Sequence, residues 1–137
     1  MGTRRLTSWG LLALVAGAST ACTSARDAAN PTPSDPVFVV DPISVESVEL
    51  VRGLGTPSGL GVHVKGVVGD GCSELLPVRQ VREGNTVTIT LERRRPENAI
   101  CIQIARLFDG VIPLEGAFPP GTYEVRVNGE KIAFSVP

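Results

Sequence analysis

The chain has 137 residues, room for one ordinary domain and a leader, with 20% charged residues and a formal net charge of -1. Neither sign forms a long block, which excludes an acidic tail and supplies no broad basic face for nucleic acid. Hydrophobic residues make up 42% of the chain and aromatic ones only 4%, so the core has to be built from Val, Ile and Leu, whose β-branched members favour strands.

Residues 1–21 have the three parts of an export signal: a basic start at Arg4 and Arg5, an apolar run over 9–18, and small residues from Ala18 to Ala21. An apolar run of about ten residues is roughly half of what a permanent membrane helix needs. A cleaved signal peptide is therefore expected. The Arg4-Arg5 pair looks like a twin-arginine signal, but Leu6, Thr7 and Ser8 miss that motif's apolar positions. The next four residues, "STAC" at 19–22, resemble the bacterial lipobox, in which small residues precede a cysteine that is lipidated and becomes the mature N-terminus. The resemblance implies a diacyl or triacyl anchor on Cys22, and more than one acyl chain is what stable membrane attachment takes. Ser19 stands where the lipobox prefers Leu, which leaves ordinary cleavage after Ala21 as the alternative.

Cysteine arithmetic points the same way without the motif. Three cysteines in an exported chain leave one without an internal partner. Cys72 and Cys101 lie among patterned segments, so they form the expected disulfide, while Cys22 sits at the leader boundary. The alternative for Cys22 is a free thiol or an intermolecular disulfide, and an exposed free thiol is a liability in an oxidising compartment. Without Arg4 and Arg5 the balance is 11 basic against 14 acidic residues, a mildly acidic mature protein. Residues 23–36, "TSARDAANPTPSDP", are polar, aperiodic and rich in Pro, the composition of a tether that cannot bury enough surface to order itself. The expected organisation is thus 1–21 signal peptide, 22–36 lipidated N-terminus and linker, and 37–137 folded domain.

Within that domain short segments of period-two alternation follow one another, and 15 Gly and 11 Pro supply frequent turns. "VFVV" at 37–40 reads as an edge strand, and weaker patterns predict strands over 43–51, 60–68, 76–82 and 111–114. The clearest strand covers 85–94, with Val87, Ile89 and Leu91 on one side and Thr86, Thr88 and Thr90 on the other. "AICIQIA" at 99–105 repeats the pattern with Ile100, Ile102 and Ile104. The chain ends in two strands carrying Tyr123, Val125 and Val127, then Ile132, Phe134 and Val136, joined through Asn128-Gly129, a strong hairpin signal because both residues accept positive φ.

No segment carries a sustained 3.6-residue apolar stripe with caps. The expected fold is all-β, an antiparallel two-sheet sandwich of immunoglobulin-like type closed by the Cys72–Cys101 disulfide. The segment 119–129, "PPGTYEVRVNG", resembles the approach to the closing strand of bacterial immunoglobulin-like modules. Taken in order, "GDGCSEL", "RRRPENAIC" and "GTYEVRVNGEKIAFSV" resemble a group of uncharacterised bacterial lipoproteins that share a paired-cysteine β-domain. The resemblance covers roughly residues 44–137 and implies no activity.

Chemistry-bearing residues are few. His63 alternates with Val62 and Val64, which places it with Lys65 on the polar face of a strand, a solvated position rather than that of a catalytic base. An enzyme would need His63 in a cleft beside a carboxylate. No GxSxG, HExxH, Walker-type loop or paired-carboxylate arrangement is present, so no catalytic residue is assigned. One His and two domain cysteines do not make a zinc set, and no metal or cofactor is expected. Arg93, Arg94 and Arg95 form the candidate contact surface, since guanidinium groups bind carboxylate or phosphate bidentately. The alternative is that Glu92 and Glu97 partly neutralise a solvated corner. The Gly-rich stretch 51–61 is followed by no helix and ends without Lys-Ser/Thr, so it reads as a mobile loop rather than a phosphate cradle. Together with 108–121 it would form one end of the sandwich.

These features predict a non-enzymatic lipoprotein, anchored to a cell membrane with its domain on the exported side and acting as a binding or interaction module toward an envelope or extracellular protein. A structural envelope lipoprotein without a dedicated ligand and an inhibitor of an exported hydrolase are the alternatives. No nucleic-acid partner is expected.

Overall fold

The computed structural model describes residues 34–137, of which Asp35–Pro137 form one compact unit. The expected signal peptide, Cys22 and most of the expected tether lie outside the described residues. Ten strands follow in chain order, with no helix among the described residues: β1 Phe38–Pro42, β2 Ser44–Arg52, β3 Leu60–Gly69, β4 Glu74–Leu75, β5 Arg79–Glu83, β6 Thr86–Thr90, β7 Glu92–Pro96, β8 Arg106–Pro113, β9 Gly121–Val127 and β10 Glu130–Val136. They form a sheet β2-β3-β8, a sheet β10-β9-β6-β5 and a smaller sheet β1-β7-β4. All pairings are antiparallel except β6 with β9, which align in parallel with Val87 opposite Val125 and Ile89 opposite Val127.

Alternation decides which side chains go inside. Val62 and Val64 from β3 and Ile112 from β8 meet Val87, Ile89, Tyr123, Val125, Val127 and Phe134 from the opposing sheet in one buried cluster. This is the β-sandwich that the succession of short alternating segments predicts. The aromatics gather at one end, where Tyr123 stacks on Phe134 at 5.6 Å and Phe118 meets the Tyr123 ring edge-on at 5.1 Å. The Tyr123 hydroxyl donates to the Pro119 carbonyl at 2.6 Å, so the buried ring leaves no polar atom without a partner.

Three expectations are corrected. The strand read over 85–94 is two strands, because the chain leaves one sheet after Thr90 and enters another at Glu92. Leu91 at the crossing is fully buried, as its place beside Val87 and Ile89 requires. Residues 99–105 form no strand. Their isoleucines face solvent, and the eighth strand begins only at Arg106. Residues 108–113 accordingly belong to β8 and not to a loop, which leaves 114–120 as the connection at that end.

The Gly-rich connection 53–59 is tied internally. The N–H groups of Gly53 and Leu54 both donate to the Gly59 carbonyl, at 2.9 and 3.2 Å, and Ser58 Oγ donates to the Leu114 carbonyl at 2.6 Å. That last bond brings the connections after β2 and after β8 to the same end of the sandwich. The terminal hairpin turns through Asn128, the one non-glycine residue with positive φ among the described residues (φ 52).

Candidate functional site

The arginine run occupies β7, the middle strand of the small sheet, and each guanidinium has a carboxylate within reach. Arg94 Nε donates to Glu74 across the ladder at 2.9 Å, and its guanidinium lies 5.0 Å over the Phe38 ring. Arg95 Nη2 sits 3.2 Å from Asp70, and Arg93 lies 3.9 Å from Asp41. The neutralising partners are therefore Asp41, Asp70 and Glu74, not the neighbours Glu92 and Glu97. Glu92 instead pairs with Arg79 at 2.9 Å. Adjacent residues of a strand point to opposite faces, so charge balance in a sheet is settled across the ladder and not along the chain.

Arg93 and Arg95 are directed inward, toward the turn "GDGCS" at 69–73. Arg93 Nη1 donates to the Val68 carbonyl at 3.1 Å and to Ser73 Oγ at 3.2 Å. Gly69 makes room for it: with φ +139 it adopts a backbone conformation that side-chain-bearing residues rarely take, and a Cβ there would stand 1.8 Å from Arg93 Nη1. Asp70 organises the turn, accepting from the Cys72 N–H at 3.2 Å and from Ser73 Oγ at 2.9 Å. Ser73 is completely buried, and its carbonyl accepts from Arg106 Nη1. Cys72 leaves this turn to form the disulfide with Cys101, Cα to Cα 5.5 Å, and Arg95 Nη2 lies 3.9 Å from the Cys101 sulfur. The candidate contact surface thus divides in two. Arg93 and Arg95 bolt the disulfide turn to β7, and Arg94, with 43% of its side chain exposed, is the member most open to solvent.

The hydrogen bond from Ser73, assisted by Arg95 and the Cys72 N–H, holds the Asp70 carboxyl below the ordinary carboxylate range. A depressed folded-state pKa contributes stability at neutral pH that is lost as pH falls through and below the ordinary carboxylate value. Asp70→Asn should therefore destabilise the domain at pH 7 and flatten the acid limb of its stability curve. Urea midpoints of both proteins at pH 3 and pH 7 test this; an equal acid loss in both would remove Asp70 as the source.

The disulfide carries with it the segment 99–105, pinned in addition by the Gly71 N–H donating to the Ile102 carbonyl at 2.9 Å. Ile100 is 102% exposed, Ile102 70% and Ile104 61%, and Leu107 and Val111 continue the apolar character along β8. Isolated exposed aliphatics are ordinary, but five within twelve residues make a candidate contact surface. The alternation of Ile100, Ile102 and Ile104 predicts a strand here, but alternation gives the period of a strand and not the presence of a partner strand.

His63 lies outward on β3 beside Lys65, as expected, and its Nε2 is 2.5 Å from the Asp109 carboxylate on β8. That hydrogen bond holds Asp109 below the ordinary carboxylate range. Glu49 stands opposite His63 on β2. The neighbouring groove between β5 and β8, about 450 Å³, is lined by Val78, Gln80, Phe108, Val111 and Ile112 and not by His63. Among the described residues, no three of His, Cys, Asp and Glu converge as a metal-binding group.

The sheets and the Cys72–Cys101 bond define a β-sandwich domain closed by one disulfide. The ORF11 beta-sandwich domain model matches residues 62–136, from within β3 to the end of β10, and the chain belongs to that family. It is 33% identical over 84 residues to the "Uncharacterized 10.2 kDa protein in HgiCIIM 5'region" of Herpetosiphon aurantiacus, an alignment taking in 61% of this chain and 89% of that protein. The uncharacterised 10.2 kDa proteins in the HgiBIM and HgiEIM 5' regions of the same organism are each 35% identical over 72 residues, covering 53% of this chain and 88% of theirs. No solved structure matches the chain.

Proposed function

We propose that this protein is an exported lipoprotein, anchored to a cell membrane through Cys22, whose β-sandwich is a non-enzymatic interaction module for a protein partner at the envelope. The observation that carries the reading is the disulfide-pinned segment 99–105, which holds three isoleucines in solvent. Leaving large aliphatic side chains in water forgoes roughly 1.5–3 kcal/mol each relative to burial, a loss that a covering partner recovers. The anchor rests on the "STAC" resemblance, the export signal before it and the odd cysteine. The absence of catalytic motifs in the sequence supports a binding role over an enzymatic one.

A photoreactive residue at position 102 of the full chain, irradiated in intact cells, tests both parts. Adducts are expected from position 102 in the membrane fraction and not from position 131 on β10. Cys22→Ser should move the protein to the soluble fraction with the domain folded. Equal labelling from both positions would overturn the contact surface, and membrane retention of the Cys22→Ser protein would overturn the anchor.

A further inference from the structure

We infer that the segment 99–105 pairs with the same segment of a second copy of this chain, as antiparallel strands related by a two-fold axis at Ile102. The inference rests on the reading of this segment as the contact surface and goes on to identify its occupant.

The segment has the composition of a strand and none of its pairing. Ile100, Ile102 and Ile104 alternate with Cys101 and Gln103. Yet its backbone–backbone bonds are the one from Gly71 to Ile102 and a short bond from the Ile104 N–H to the Ile102 carbonyl at 2.9 Å. Edges of natural sheets are kept apart by charge and proline. The other edges follow that rule: β1 carries Asp41 and Pro42, β5 carries Arg79, Arg82 and Glu83, and β10 begins with Glu130 and Lys131. Residues 98–105 contain neither charge nor proline.

The occupant follows from symmetry. A two-fold interface requires a surface complementary to itself. Read outward from Ile102, this segment is palindromic in its isoleucines and flanking alanines, with Cys101 and Gln103 the one unlike pair. Antiparallel pairing sets Ile102 against Ile102 of the second copy and Ile100 against its Ile104, with Cys101 against Gln103. Cross-strand β-branched pairs are the unit of sheet stabilisation. The flanks agree in charge: Glu97 precedes the segment and Arg106 follows it, so the antiparallel arrangement brings each Glu97 within one register step of Arg106 of the other copy. A parallel arrangement would set like charges together. Cys101 is the half-buried member of the run and stays tied to Cys72. Pairing exchanges the short Ile104–Ile102 bond for ladder bonds to the second copy.

The test uses the full chain purified from membranes in detergent, its protein mass measured by light scattering. The unmodified protein is expected at twice the chain mass. Ile102→Glu and Ile102→Lys each place like charges face to face across the axis and should halve the mass, and mixing the two variants should restore it. Because Ile102 is exposed, neither substitution removes core, and circular dichroism checks that both remain folded. A single-chain mass for the unmodified protein, or failure of the mixture to recover, overturns the two-fold pairing. The cross-link from position 102 separates the two readings: an adduct with the mass of some other protein keeps the contact surface and overturns self-pairing, whereas no adduct overturns both.

Discussion

Serine at Cys72 or at Cys101 is expected to lower the melting temperature by roughly 15–25 °C. The disulfide joins positions separated by 29 residues, and on the chain-entropy model closing such a loop contributes about 3.5 kcal/mol. A domain of this size loses roughly 4–8 °C per kcal/mol. The bond also does a local job that the entropy model leaves out. Residues 99–105 belong to no strand, and apart from the disulfide the Gly71–Ile102 bond is their tie to the turn at 69–73. Either substitution should therefore free the segment as well as destabilise the fold, which hydrogen exchange over 99–105 would register. It should also leave the remaining thiol open to alkylation. Unchanged melting in both single variants would remove the disulfide from the account of stability.

The second large effect is expected at Asn128, which takes part in joining the two sheets where the chain crosses between them. Its Oδ1 accepts from the Leu91 N–H at 3.0 Å, and its Nδ2 donates to the carbonyls of Ile43 and Leu91 at 2.9 and 3.0 Å. Ile43 and Leu91 are both buried, so removing the amide strands polar groups at a cost of about 1–3 kcal/mol each. Ile43 and Asn128 both line an open groove of about 530 Å³, so the position vacated by the amide borders solvent on the Ile43 side, which places the loss toward the lower end. Positive φ adds a further roughly 1–2 kcal/mol for a residue with a Cβ that lacks asparagine's tolerance. Asn128→Gly should thus cost about 2 kcal/mol and Asn128→Ala about 3–4 kcal/mol. The order of the two in urea denaturation separates the hydrogen bonds from the backbone. Equal losses would mean that the positive φ contributes nothing, and no loss in the glycine variant would exclude the amide from holding the crossing.

Asn128 was legible in the sequence in part. The Asn128-Gly129 pair announced a hairpin because turn chemistry is local, needing only a residue that accepts positive φ. That the same side chain would reach Leu91 and Ile43, distant in the chain, had no local signal. Likewise the inward set of Val87, Ile89 and Leu91 followed from alternation alone, and all three are fully buried. The break that sends Glu92 into a different sheet could not be read there, since the pattern runs through it without a Gly or Pro. The two-residue strand β4 is shorter than any period can reveal. The hold of Asp70 on Arg95 likewise had no local signal, since the two are distant in the chain.

By itself the sequence determined the all-β class, the inward residues of 86–91 and of the last two strands, the closing hairpin and the pairing of Cys72 with Cys101. Each of these depends on local preference, on two-residue periodicity or on counting. Only the tertiary structure decided which strands are neighbours, that β6 and β9 run in parallel, that Arg93 and Arg95 turn inward toward Asp70 and Ser73, and that the isoleucines of 99–105 face solvent. The physical reason is common to all four. A strand's pattern specifies what its two faces require, while its edges are made of backbone groups that every residue carries alike, so the choice of neighbour lies in the packing of the whole chain.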